Sequence, residues 1–234
     1  MARVRSGIPG LDELLNGGFL ESSTVLISGG AGSGKTIFST EFVYKGAKDY
    51  DEPGIYITLE EGATNIWWNM KNFRWDVTSL ERENMLKIYK VGMINPQDFA
   101  EGFEKEVNRI KDMIDDIDAK RLVIDSTTAF GMWMGSEQNI RHSLFKLSEE
   151  LKGMDVTALL TAEAPGGKER FSRFGVEEFI TDGVIALYFK PPQRALFIRK
   201  MRGTKHDKKP HPFEITNSGI EVDSKQEVLW ESLE

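Results

Sequence analysis

Residues 29 to 36 read Gly-Gly-Ala-Gly-Ser-Gly-Lys-Thr, directly after the β-branched apolar run Thr24-Val25-Leu26-Ile27 and ahead of a helical pattern. A glycine-rich turn between a strand and a helix, closed by Lys-Thr, is a phosphate-binding P-loop. It commits the chain around it to an α/β sheet with the loop at a strand's carboxyl end. The chemistry explains the residue types. Phosphate oxygens are wrapped by backbone N–H groups at close range, and Gly30, Ala31, Gly32, Ser33 and Gly34 offer those groups with little side chain in the way. The helix opening at Lys35, Thr36 and Ile37 aims unpaired amides and its positive dipole end at the anion. Lys35 is expected to reach the β- and γ-phosphates of a nucleotide, and the Thr36 hydroxyl to hold Mg²⁺.

Further along, short apolar runs at 25–28, 55–59, 86–91, 122–125, 156–161 and 184–189 read as strands. Amphipathic segments near 37–48, 62–73, 97–115 and 137–152 are long enough for crossover helices between the first five. Such alternation predicts a mostly parallel sheet flanked by helices on both faces. After residue 182 the spacing shortens, and 184–189, 194–201 and 213–215 read as antiparallel strands added at the C-terminal end. At 234 residues, one domain spanning 1–234 is expected, large enough for a substantial core. The net charge of −7 argues against a surface coated for non-specific nucleic-acid binding. There is no cysteine, which removes disulfides, thiolate catalysis and zinc-finger spacing. No apolar stretch approaches the roughly 20 residues that span a bilayer, so no membrane span and a cytoplasmic location are expected.

A second nucleotide-binding element lies in Arg121-Leu122-Val123-Ile124-Asp125-Ser126, an apolar strand ending in an acid. Asp125 is placed to complete the Mg²⁺ shell opposite Thr36; the competing reading is a helix-capping Asp. Glu60 and Glu61 close the strand Ile55-Tyr56-Ile57-Thr58-Leu59 and can supply the carboxylate that orients or deprotonates attacking water. Acids at a helix N-terminus would account for the same pair electrostatically, and the sequence does not separate Glu60 from Glu61. Thr161 and Glu163 end the strand that begins at Val156 and could sense the γ-phosphate from beside Asp125. Lys200 and Arg202, two apart on a strand, project to one face. They could enter a neighbouring subunit's site as arginine-finger-like cations, or simply discourage edge-to-edge aggregation.

These motifs occur in order with others: Ser6-Gly7-Ile8-Pro9-Gly10-Leu11-Asp12-Glu13-Leu14-Leu15, Phe174-Gly175-Val176-Glu177-Glu178-Phe179 and Lys200-Met201-Arg202-Gly203-Thr204. Together the chain resembles the KaiC family of RecA-like ATPases, from Gly7 to about Ile220. The resemblance implies a RecA-like P-loop fold and a homo-oligomer, a hexameric ring with ATP between subunits. It implies that Glu60 and Glu61 are the catalytic glutamates, and that Lys200 and Arg202 contact the neighbour's phosphates. It does not imply self-phosphorylation, because Ile180-Thr181-Asp182 is preceded by Glu178 and Phe179 rather than by a Ser-Thr pair.

The leading expectation is therefore a slowly hydrolysing regulatory ATPase acting on an unknown protein partner. The alternatives are a DNA-acting recombinase or helicase motor and a non-hydrolysing ATP-dependent scaffold. Nucleic acid enters through the basic and aromatic loop 165–174, whose aromatics could equally pack on a neighbouring subunit. Trp67-Trp68 and Met132-Trp133-Met134 read as packing or partner surfaces. His142, His206 and His211 lack metal-ligand spacing, with His206 a candidate auxiliary phosphate contact.

Overall fold

A computed structural model describes residues 2–133, 137–165 and 170–233. The chain opens with two short strands, β1 (Arg3–Val4) and β2 (Phe19–Leu20), paired antiparallel around helix α1 (Leu11–Leu14). Then come β3 (Thr24–Gly29), α2 (Lys35–Asp49), β4 (Gly54–Thr58), α3 (Ala63–Asn72), α4 (Val77–Arg82) and β5 (Leu86–Lys90). The middle of the chain forms α5 (Phe99–Ile117), β6 (Arg121–Asp125), α6 (Phe130–Trp133), α7 (Glu137–Lys152) and β7 (Thr157–Glu163). It closes with α8 (Glu177–Ile180), β8 (Gly183–Lys190), β9 (Gln193–Met201), β10 (Pro210–Thr216) and β11 (Gly219–Val222).

The large sheet has nine strands in the order β11-β10-β9-β8-β3-β7-β6-β4-β5. Strands β3 to β8 run parallel, and β9 to β11 are antiparallel. Strand β8 differs from its expected place among the antiparallel strands. It pairs parallel with β3 on one side and antiparallel with β9 on the other. The reason is that β7 and β8 both run parallel to β3, so the connection that includes α8 is a crossover, and the tight turn comes only after Lys190. The predicted helix near 62–73 is also followed by a second, α4, which Asp76 caps by accepting from the Ser79 N–H at 3.1 Å.

Strand residues alternate between two apolar layers, as a pleated sheet buried on both faces requires. Leu26, Ile55, Ile57, Leu122, Ile124 and Leu160 face one layer, packed with Phe103, Val107 and Ile110 of α5 and Leu144 and Leu147 of α7. Val25, Ile27, Tyr56, Val123 and Leu159 face the other, with Phe38 and Phe42 of α2 and Ile66 and Met70 of α3. On α5 the buried residues Phe103, Val107, Ile110, Ile114 and Ile117 recur every three or four positions, the stripe that makes a helix pack on a sheet. Helix α2 is different: nearly every residue from Phe38 to Ala47 is buried, because the sheet lies on one side and β11 and the N-terminal segment lie on the other. The helix that follows the P-loop is therefore an internal strut.

Candidate active site

The P-loop leaves the carboxyl end of β3 and enters α2 through Gly32 and Gly34, both left-handed at φ 72° and 106°. Only glycine takes that conformation without strain. Gly34 caps α2 with no side-chain acceptor, so the first amides of the helix keep their N–H groups for a ligand. Ile215 and Phe213 of β10 pack against Gly34 from outside the loop.

Register puts the other candidates beside it. Gly29 pairs with Glu163, and Thr58 with Asp125, so the carboxyl ends of β3, β7, β6 and β4 form one edge. Their side chains line a cleft of about 150 Å³ formed by Lys35, Thr36, Thr58, Glu60, Glu61, Asp125, Ser126 and Glu163. Lys35 Nζ donates to Gly29 O at 2.9 Å and Gly30 O at 3.0 Å. Burial draws its pKa below the usual 10.5, while the carboxylates of Glu163, Asp125 and Glu60 pull it back up. The Thr36 hydroxyl donates to Asp125 Oδ2 at 3.1 Å, so the two expected cation ligands stand together. Hydroxyl and carboxylate oxygens form a hard donor set that suits Mg²⁺. The uncapped helix end supplies the phosphate side of such a site. The peptide between Asp125 and Ser126 is cis.

Glu60 turns towards the same point. Its Oε1 accepts the Ser126 hydroxyl at 2.6 Å, and Lys90 Nζ donates to its carbonyl. Glu61 lines the cleft too, its carbonyl accepting the Thr58 hydroxyl at 2.8 Å. Glu163 reaches the cleft, whereas Thr161 is fully buried and donates to Asp125 Oδ1 instead of facing a phosphate.

Two contributors are absent from the sequence reading. Tyr56, completely buried in β4, donates its phenol to Asp125 Oδ2. Burial first, and the Asp125 charge second, hold that phenol well above its ordinary pKa, so it stays a donor. Its signal was a lone phenol in a strand buried on both faces, where a hydroxyl must find a partner. Arg194 of β9 stacks on Phe189 at 3.9 Å and donates to Gly32 O at 3.3 Å, bringing a cation to the loop. Nothing in the local sequence marks it.

Lys200 and Arg202 are not in this cleft. Lys200 pairs with Val184, and β8 starts beside the beginning of β3, so both cations sit at the amino edge of the parallel strands. Along the sheet that is at least about 13 Å from the P-loop of the same chain. Lys200 Nζ donates to Glu178 O at 3.0 Å and Thr181 O at 2.5 Å, and burial together with neighbouring Arg202 lowers its pKa. Arg202, more than half exposed, pairs with Asp182 at 3.2 Å. His206 Nδ1 meets Asp207 O at 2.7 Å. Residues 166–169 of the basic and aromatic loop, and Met134, lie outside the described residues. Among the described residues no helix is long and apolar enough to cross a membrane.

Comparison with known proteins bears on the family and the fold. The family model described as "ATPase: KaiC" matches residues 4–227. A UPF0273 protein of Methanocaldococcus jannaschii is 40% identical over 95% of this chain and 96% of its own length. The circadian clock oscillator protein KaiC of Synechococcus elongatus is 35% identical over 95% of this chain, which spans only 44% of that longer protein. The crystal structure of a KaiC-like protein from the hyperthermophilic archaeon Pyrococcus horikoshii superposes with a TM-score of 0.86. It shares 43% identity over 95% of this chain and 99% of that one. With a family model over nearly its whole length and this fold beneath it, the chain belongs to the KaiC ATPase family.

Proposed function

We propose that this chain is a single-domain ATPase that binds Mg-ATP in the cleft at the carboxyl edge and hydrolyses it slowly within a head-to-tail ring, a hexamer by analogy with the family. The observation that carries the reading is the meeting of Lys35, Thr36, Glu60, Glu61 and Asp125 in one cleft while Lys200 and Arg202 occupy the opposite edge. A site divided between two faces of a protomer is completed by a neighbour. Repeating that head-to-tail contact generates a ring when the rotation between neighbours closes, and the family resemblance supports closure.

Each side chain then has a task. The amides of Gly30 to Ile37 bind the phosphates, and Lys35 exchanges its two carbonyl acceptors for phosphate oxygens. Thr36 and Asp125 would hold Mg²⁺, whose contribution is to neutralise the charge on the β- and γ-phosphates. Glu60 or Glu61 orients a water and accepts its proton as the oxygen bonds to the γ-phosphorus and the bond to the β–γ bridging oxygen breaks. The neighbour's Arg202 and Lys200 offset the charge of the transferring phosphoryl group.

Steady-state phosphate release with Mg-ATP tests the assignment, alongside the mass in solution with and without nucleotide. The double variant Glu60→Gln with Glu61→Gln is expected to bind ATP and assemble as the parent does, yet turn over about 100-fold more slowly. Unchanged turnover would remove both glutamates from the mechanism.

A further inference from the structure

Asp125 is held by more than its place on β6. Its Oδ2 accepts from Thr36 and from the Tyr56 phenol, and its Oδ1 accepts from Thr161. These donors come from three elements: α2, β4 and β7. Tyr56 is the unusual one. Its ring is fully buried in the apolar layer with Val123 and Ile66, where a phenylalanine would bury the same hydrocarbon surface with no polar atom to satisfy. Its hydroxyl is directed at the one carboxylate that, with Thr36, forms the hard-oxygen pair of the cleft.

A carboxylate on a short side chain turns easily about its last torsion, which has a broad profile. Donors on both oxygens remove that freedom. Thr161 and Tyr56 hold opposite oxygens from within the sheet. Of the roughly four acceptor positions on a carboxylate, the protein interior then occupies two and leaves the Thr36 side for the cation.

We propose that Tyr56, seconded by Thr161, is a positioning residue for the divalent cation: its phenol fixes the Asp125 carboxylate so that Oδ2 faces the Thr36 hydroxyl. This rests on the nucleotide-site reading above and adds a residue that touches neither nucleotide nor cation. Partners that orient a ligand carboxylate commonly change metal affinity about 10- to 100-fold when removed. The effect therefore belongs to the cation and not to the nucleotide.

The test uses Mn²⁺, whose free form is counted by electron paramagnetic resonance, with a non-hydrolysable ATP analogue bound to the full chain. Tyr56→Phe is expected to weaken Mn²⁺ binding about tenfold while analogue affinity in EDTA stays at the wild-type value. Thr161→Val should act in the same direction and serves as the second variant if Tyr56→Phe unfolds. In an Asp125→Asn background neither change should weaken Mn²⁺ further, because the group they orient is already altered. Wild-type Mn²⁺ affinity in a folded Tyr56→Phe protein, or an undiminished effect in the Asp125→Asn background, overturns the proposal. A wild-type protein that takes up no analogue, with or without Mn²⁺, would instead sink the nucleotide-site reading itself.

Discussion

Glu41 sits about one and a half helical turns beyond the P-loop, on α2, and almost no water reaches it. Its carboxyl group accepts the Ile220 N–H at 2.6 Å and so joins the helix that follows the P-loop to β11. Burial raises its pKa from 4.5 to about 8; the Ile220 contact and Lys45 lower it, and Glu221 adds to the rise. An acid whose folded-state pKa is raised keeps its proton where the unfolded chain has already released it. Stability is then greatest below the ordinary value of 4.5 and declines as pH climbs towards about 8. Glu41→Gln keeps an acceptor for Ile220 and cannot ionise. Thermal unfolding across pH 5 to 8 is expected to show a falling midpoint for the parent and a much flatter profile for the variant; parallel profiles would mean that Glu41 is not the group responsible. At this scale the sequence was partly legible. Lys35, Thr36 and Asp125 announce themselves by type and spacing, whereas Tyr56, Glu41 and Arg194 acquire meaning only from residues 69, 179 and 162 positions away.

Between elements, the most demanding join is Arg121 at the start of β6. It is fully buried, yet it satisfies its donors on Glu52 at 2.7 Å, Phe42 O at 2.7 Å and Arg5 O at 2.8 Å, with its guanidinium over the Phe42 ring at 4.5 Å. One side chain thus ties β6 to α2, to the turn before β4 and to the N-terminal segment. Removing it strands buried carbonyls and an acid, so Arg121→Ala should cost about 3–5 kcal/mol in urea unfolding. Arg121→Lys should recover little of it, since a single ammonium cannot serve three separated acceptors. A loss below about 1 kcal/mol in Arg121→Ala would show the network to be dispensable. The legibility of elements followed their length. Helices α5 and α7 have enough turns for a buried stripe to stand out, while β1, β2 and α1 are too short for any period to register. Helix α4 left a readable cap in Asp76 and Ser79, but the continuous pattern of 62–73 overshadowed it.

Across the whole molecule, the consequence of the topology is a protomer with two unlike edges. The carboxyl edge carries the acids of the cleft and the P-loop; the amino edge carries Lys200 and Arg202. In the proposed ring, each nucleotide takes its cradle from one chain and its cations from the next. This gives a sharp expectation for mixtures. Lys35→Ala lacks a working cradle and Arg202→Ala lacks a finger, so each alone should hydrolyse little ATP. Mixed and reassembled, a Lys35→Ala chain can offer its intact Arg202 to the intact cradle of its Arg202→Ala neighbour. Phosphate release should return in proportion to such contacts, and mixtures no more active than either parent would exclude sites shared between chains. By itself, the sequence determined the P-loop and the alternation that makes a parallel sheet, because those signals are local: backbone conformations that only glycine tolerates and apolar periods within single elements; the family resemblance came from motifs occurring in order along the chain. The tertiary structure alone decided which hydroxyls hold Asp125 and that the two charged groups lie at opposite edges. Those facts depend on strand order and register, which arise from packing between segments far apart in the chain and leave no trace in any one of them.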